Sequence, residues 1–224
     1  MNQYITYDTG PGIEAFSTFR DAILPYPVVQ AHQTHGVEVA VIDRFMTREE
    51  LEGKDALITD VKGLAIGVRT ADCIPVLMYD PEHGVVAAVH SGWRGTMARI
   101  ASHALEVLHE RFNTSPCSLK VIIGPGIRMD SFQVGEDVAV AFREAGFPMD
   151  RIWEFRGPRK GEGSMDGGHH INLPEAVRIA LLESGVPENS IFDCGVDTYT
   201  SPQFYSARRE GVGCGRIINS IRLI

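Results

Sequence analysis

The chain has no C-x-x-C pair and only four cysteines, Cys73, Cys117, Cys194 and Cys214, in 224 residues. So sparse a set excludes a dense disulfide framework and a compact thiolate zinc finger, and it fits reduced thiols. Basic charge is also scarce: 21 Lys and Arg against 29 Asp and Glu leave a formal net charge of −8. A nucleic-acid backbone or an anionic membrane surface needs concentrated cations, so neither nucleic acid nor membrane is expected as a main partner. Any small anion must be met by a local cluster. No stretch approaches the roughly 18 apolar residues of a membrane span, and Met1-Asn2-Gln3-Tyr4 does not begin a basic and then apolar leader. The expected location is cytoplasmic. Internal repeats and Ser/Pro/Gln-rich linkers are missing too, so residues 1–224 read as one domain, with 44% hydrophobic residues available for a core.

What is present alternates between two periods. Short β-branched or apolar runs at 28–31, 37–42, 56–59, 64–68, 74–78, 85–90 and 119–123 are bounded by Gly, Asp or Pro and predict strands. Met97, Ile100, Ala101, Ala104, Leu105, Leu108 and Phe112 lie on one helical stripe that starts at Gly95-Thr96. Two further helices are predicted, from Glu136 to Ala145 with a stop at Gly146, and from Leu173 to Ser184 with Asn172 as N-cap and Pro174 in the first turn. Residues 203–207 and 216–224 read as strands, and the Gly-rich stretch from Gly157 to His170 reads as a surface loop. Within that loop His169 and His170 read as solvated. This mixed order implies a compact layered α/β (α+β) sandwich with mixed β-sheets and flanking helices.

Three short stretches carry residue types that packing alone does not require: Gln33-Thr34-His35-Gly36, Thr70-Ala71-Asp72-Cys73-Ile74-Pro75-Val76 and His90-Ser91-Gly92-Trp93-Arg94-Gly95-Thr96. Each places its polar residue at the end of a predicted strand or in the adjoining turn, so His35, Cys73 and His90 can meet at one sheet edge. Two imidazoles and a thiolate suit Zn2+, and three protein ligands leave a fourth position open for a water or substrate. The three positions are far apart along the chain, so spacing alone leaves two alternatives standing. One is a set of unrelated residues, and the other is a metal-free Cys73–His90 nucleophile pair acting on amides. The turn at Gly92 and Gly95 leads into a helix whose first N–H groups, with Arg94, offer an anion site. In a regular strand Arg208 and Arg209 would point to opposite faces, so at most one can serve a given pocket. Asp72 is the nearest acid to Cys73, either as a proton carrier or as a brace for a ligand histidine.

On these blocks, together with Asp55-Ala56-Leu57-Ile58-Thr59, Ile123-Gly124-Pro125-Gly126-Ile127 and Phe204-Tyr205-Ser206-Ala207-Arg208-Arg209, the sequence resembles the laccase-domain family. Its members are also called multicopper polyphenol oxidoreductases and are described as purine nucleoside phosphorylases with adenosine deaminase activity. The resemblance covers nearly the whole chain. It implies a zinc site at His35, Cys73 and His90, a role in activity for Arg208 or Arg209, and purine nucleoside and phosphate as substrates. Adenosine, inosine and methylthioadenosine would be phosphorolysed, and adenosine would be deaminated to inosine. Gly126 and Asp197 stand where many members have Cys, and Asn172 stands where Asp is usual. With one His/Cys cluster in sight, a copper-dependent polyphenol oxidase, which needs several copper centres, is less well served. A zinc-stabilised binding module without catalysis is the remaining alternative.

Overall fold

The computed structural model describes residues 3–157 and 167–224. In chain order the strands are β1 (Tyr4–Thr6), β2 (Ile13–Thr18), β3 (Val29–Gln30), β4 (Val39–Val41), β5 (Ala56–Thr59), β6 (Ile66–Thr70) and β7 (Ile74–Asp80). They continue as β8 (Val85–Ser91), β9 (Lys120–Ile123), β10 (Gln133–Val134), β11 (Trp153–Arg156), β12 (Gly168–Ile171), β13 (Ile191–Asp193) and β14 (Ile217–Leu223). The helices are α1 (Trp93–Met97), α2 (Ile100–Phe112), α3 (Glu136–Glu144), α4 (Met149–Ile152), α5 (Leu173–Glu183) and α6 (Ala207–Glu210). Among the described residues the strands form a six-stranded sheet, β13-β9-β7-β8-β5-β4, a five-stranded sheet, β1-β2-β14-β6-β3, and a small sheet, β10-β12-β11. Parallel pairs (β4 with β5, β9 with β13, β3 with β6) sit among antiparallel ones, which makes this the mixed α/β fold expected from the sequence.

Side-chain parity explains the layers. In β8, Val85, Ala87 and Val89 join the core shared with α2 and α5, whereas Val86 and Ala88 join a second core between the two large sheets. β5 alternates in the same way, with Ala56 and Ile58 on the helix side and Leu57 on the other. A strand buried on both faces reads as a continuous apolar run, which is why these segments were easy to identify as strands. Each such side chain, Leu57 or Ile58 for example, contributes about 1.5–3 kcal/mol by leaving water. No helix among the described residues is long and apolar enough to cross a membrane.

Three local expectations are corrected. The helical stripe that begins at Gly95 is broken between α1 and α2, because Arg99 adopts a left-handed backbone with φ 56°. The Arg99 guanidinium holds that turn, donating to Glu183 Oε2 (3.1 Å) and to the carbonyl of Ala145 (2.9 Å). The stripe continues across the break, so periodicity could not reveal it. Residues 203–207 are not a strand: Phe204 and Ser206 are fully buried in a loop that leads into α6, where Ser206 Oγ accepts from the Arg209 N–H at 3.2 Å. Their alternation came from loop packing. His169 and His170 belong to β12; His170 is buried and its Nδ1 pairs with the Met129 carbonyl at 2.8 Å, while His169 Nδ1 accepts from Trp153 Nε1 at 2.9 Å. The central part of the expected surface loop, 158–166, lies outside the described residues.

Candidate metal centre

His35 lies between β3 and β4, Cys73 in the turn before β7, and His90 near the end of β8. Their ligand atoms all lie within 4.8 Å of one another, and the two imidazoles meet edge to face with centroids 4.8 Å apart. Parity places His90 here, since it shares the face of Val86 and Ala88 and so looks toward the five-stranded sheet at the edge of the second core. The antiparallel register that pairs Ala56 with Val89 brings Asp55, one residue earlier, beside His90, whose N–H donates to the Asp55 carbonyl at 2.8 Å.

Asp55 is completely buried and ties two of the three ligands together. Its Oδ1 accepts from His90 Nδ1 at 2.7 Å and from the His35 N–H at 3.0 Å. Oδ2 accepts from the N–H groups of Thr34 and Gly36 at 3.1 and 2.8 Å. With Nδ1 of His90 committed to Asp55, Nε2 is the nitrogen free to bind an ion. The same bonds hold His35 at φ 63°, a left-handed conformation that a residue with a Cβ adopts at a cost.

Two further devices shape the cluster. An added Cβ on Gly92 would lie 2.9 Å from His35 Cδ2 and 3.2 Å from Cys73 Sγ, so only glycine lets the ligands close up there. Asp72, also left-handed at φ 86°, sets the direction from which Cys73 enters. Its Oδ1 accepts from Thr198 Oγ1 and its Oδ2 from the Arg208 N–H, both at 2.7 Å, and its carbonyl accepts from the Ile127 N–H at 2.8 Å. Asp55, not Asp72, therefore braces the histidine of the cluster, His90.

The charges are coupled. Burial works against ionising Cys73, but the neighbouring His90 charge and hydrogen bonds from both histidines bring the thiol down to about 6. Burial likewise disfavours charged His90, yet the Cys73 thiolate and Asp55 carry it up to about 9. Burial would raise the Asp55 carboxyl, and the His90 bond and the backbone donors of Gly36 and Thr34 more than offset that and hold it below the usual range. Before any ion binds, the site is thus an anionic sulfur next to a cationic ring. Two nitrogens and a thiolate, one nitrogen oriented by a carboxylate, form a donor set suited to a transition metal ion. Among the described residues one other grouping has metal-ligand residue types, Asp80, Glu82 and His83. There Asp80 caps the β7–β8 turn, accepting from the Glu82 N–H (2.9 Å) and pairing with His83 Nδ1 (2.8 Å).

All three ligand residues line a cleft of about 700 Å³, within the range of small-molecule sites. Asp72 and Arg208 line it as well, and the Arg208 guanidinium lies 5.7 Å from the centre of the Phe132 ring. Arg94 is exposed and stacks on Trp93 at 4.2 Å, and it does not line the cleft. Arg209 turns away from it and donates to the carbonyls of Thr198 (2.7 Å), Tyr199 (2.6 Å) and Phe204 (2.5 Å). Three arginines that sequence reasoning did not single out, Arg48, Arg69 and Arg216, complete the cationic lining. They are scattered along the chain in unremarkable surroundings, and no spacing rule marks them. Asp55 was visible as an acid at the start of an apolar strand; its place opposite His90 required the register.

The family model described as multi-copper polyphenol oxidoreductase laccase matches residues 16–224. A purine nucleoside phosphorylase of Bacteroides thetaiotaomicron is 41% identical over 208 residues, covering 89% of this chain and 74% of that protein. A protein named adenosine deaminase RL5, from an unknown prokaryotic organism, is 39% identical over 204 residues, with 87% and 74% covered. The crystal structure of the hypothetical protein YfiH of Bacillus licheniformis superposes with a TM-score of 0.87 at 21% identity, covering 100% of this chain and 97% of that one, which is a likeness of fold. With a match that takes in His35, Cys73, His90 and all but the first residues, the chain belongs to the multi-copper polyphenol oxidoreductase laccase family.

Proposed function

We propose that the chain is a cytoplasmic, zinc-dependent enzyme of purine nucleosides, which phosphorolyses adenosine, inosine and S-methyl-5′-thioadenosine and deaminates adenosine. The observation that carries this reading is the convergence of His35, Cys73 and His90 in the wall of a cleft large enough for a nucleoside and an anion. The names of the two relatives support the substrate class. Zinc held by the three residues would supply Lewis acidity, including a lowered pKa for a bound water.

The protein's own groups do the rest. Asp55 fixes the His90 ring and the His35 backbone, so the ligand nitrogens need not reorganise when substrate arrives. Both carboxylate oxygens of Asp72 are engaged, so it acts as a positioning residue that sets the first turn of α6 and hence Arg208. In phosphorolysis a phosphate oxygen forms a bond to C1′ while the C1′–N9 bond breaks and its electron pair leaves with the purine, which takes up a proton. Rate then depends on holding the anion in line and on stabilising the departing base. Of Arg94, Arg208 and Arg209, Arg208 is the one that lines the cleft and so can reach bound reactants there, while Arg94 and Arg209 have other partners.

The test is to incubate metal-quantified protein with adenosine, with and without phosphate, and to identify products by mass. Adenine and ribose 1-phosphate are expected with phosphate, and inosine without it; neither product would refute the proposal. Stoichiometric zinc should be lost in Cys73→Ala. A second reading is favoured by one observation, the thiolate–imidazolium character of Cys73 and His90, which is also that of a cysteine hydrolase. It requires active, metal-free protein that is trapped covalently at Cys73.

A further inference from the structure

We infer that Arg48, Arg69 and Arg216 form a phosphate-binding subsite in the same cleft as His35, Cys73 and His90. All three line that cleft. The protein carries an excess of acid, and many of its arginines elsewhere are paired, as Arg20 is with Glu210, Arg44 with Glu50, Arg128 with Asp193 and Arg222 with Glu14, whereas these three share one cleft. Among the described residues no carboxylate lies within ion-pair distance of Arg48, Arg69 or Arg216, although such partners abound on the surface. Like charges gathered without a counterion repel, and that arrangement persists where an anion completes it.

The three side chains are anchored to different degrees. The Arg216 guanidinium is held by the backbone carbonyls of Cys214 (2.5 Å), Gly215 (2.9 Å) and Val212 (2.9 Å) and by Cys214 Sγ (3.5 Å), which fix its direction without a carboxylate to neutralise it. Arg48 keeps one contact, Nε to the Ala31 carbonyl at 3.4 Å, and leaves its terminal nitrogens free of protein partners among the described residues. Arg69 is the centre. Its backbone is clamped by Gln33, whose Oε1 accepts from the Arg69 N–H (2.8 Å) and whose Nε2 donates to the Arg69 carbonyl (2.9 Å). Its guanidinium has no protein hydrogen bond among the described residues, and its half-buried position beside Arg48 and Arg216 weakens its hold on its proton.

Gln33 also links this group to the metal cluster, since it stands two residues before His35. Arg208 serves a different side of the cleft: together with Phe132 it also borders a neighbouring depression lined by Trp93 and Val138, which the three arginines do not reach. The cleft thus divides into an aromatic side and a guanidinium side, with the His/Cys cluster in the same wall. Planar guanidinium donors grip the tetrahedral oxygens of phosphate two at a time, and three of them match a dianion. The phosphate can be free orthophosphate or a phosphate ester carried by the nucleoside itself. As a place for the attacking phosphate the three arginines rest on the nucleoside reading above; as an oxyanion site they do not.

The experiment is calorimetric titration of the metal-loaded protein, first with orthophosphate alone and then with adenosine and adenosine 5′-monophosphate. It compares the unaltered protein with Arg69→Gln and Arg48→Gln and uses the exposed Arg111→Gln as the control. Arg69→Gln removes no protein hydrogen bond or ion pair of that side chain among the described residues, and the unfolding midpoint of each variant is measured alongside. Orthophosphate binding that weakens by about tenfold or more in Arg69→Gln, and is unchanged in Arg111→Gln, supports a site for free phosphate. If instead the monophosphate binds more tightly than adenosine, and loses that advantage in Arg69→Gln and Arg48→Gln, the phosphate is one borne by the nucleoside. Absence of phosphate binding in either form, or equal binding in both cleft variants, overturns the subsite. Retained phosphate binding without any nucleoside turnover would sink the proposed function and leave the subsite standing.

Discussion

Replacing Asp55 by Asn tests whether one buried carboxylate organises the whole cluster. The side chain accepts from His90 Nδ1 and the His35 N–H on Oδ1 and from the Thr34 and Gly36 N–H groups on Oδ2, with a longer bond from Thr34 Oγ1 to Oδ2 at 3.4 Å. Asparagine has one acceptor oxygen, and its amide nitrogen must face one of these pairs. If the nitrogen takes the Oδ2 position, the loop through His35 loses its two flanking anchors. If it takes the Oδ1 position, the His90 tautomer and the His35 N–H are released. Either way two donors lose their acceptor; only His90 among the four is buried, so the loss is about 1–3 kcal/mol for that donor and less for the half-buried or exposed loop N–H groups, together with the negative charge behind His90. One ligand is loosened in each arrangement, and loss of such a brace lowers metal affinity by about 10–100-fold. Zinc affinity from competition with a chromophoric chelator, with urea unfolding run in parallel, measures both effects. A folded Asp55→Asn protein that holds zinc as tightly as the parent would refute the reasoning.

Other outcomes follow from the same geometry. Gly92→Ala is compatible with the backbone at φ −70° but forces a methyl against His35 and Cys73, so zinc affinity should fall about tenfold while stability drops by only ~1–3 kcal/mol; unchanged affinity argues against the close approach. In metal-free protein the thiolate absorbance near 240 nm should include a component titrating near pH 6, missing in Cys73→Ser, in place of the ordinary value of about 8.5. The lowered Cys73 pKa adds stability that is lost as pH falls through about 6, and the raised His90 pKa adds stability that is lost as pH rises through about 9. The urea-midpoint difference between metal-free parent and Cys73→Ser should therefore be largest between those limits, and a flat difference contradicts the coupling. Arg209→Ala leaves the carbonyls of Thr198, Tyr199 and Phe204 without their donor and should cost about 2 kcal/mol in chemical denaturation, with zinc affinity retained; loss of zinc ahead of stability would show a role at the metal.

The sequence disclosed what depends on local chemistry and concealed what depends on register and fold. β5, β7 and β8 were plain because strands buried on both faces are continuously apolar, and Cys73 and His90 stood out as reactive side chains at the ends of those strands. Asp55 looked like a strand boundary until the Ala56–Val89 pairing set it beside His90. The break at Arg99 was hidden because the apolar stripe continues through it, and its cause is a guanidinium reaching Glu183 from another part of the chain. The paired arginines at the start of α6 were readable as an alternative but not as a choice. The helical turn capped by Ser206, which sends Arg208 to the cleft and Arg209 to the loop carbonyls, has no signature in an alternating stretch.

The contrast in exposure between the two histidines of the proposed metal site has a kinetic consequence. His90 is 3% exposed on a central strand of the six-stranded sheet, whereas His35 is open to solvent on a connecting segment. If the three residues hold an ion as proposed, an arriving one would meet His35 first and pass inward to Cys73 and His90, and a departing one would leave by the same door. A small chelator can therefore attack from the His35 flank alone, and the off-rate should follow the breathing of that segment and not the unfolding of the sheets.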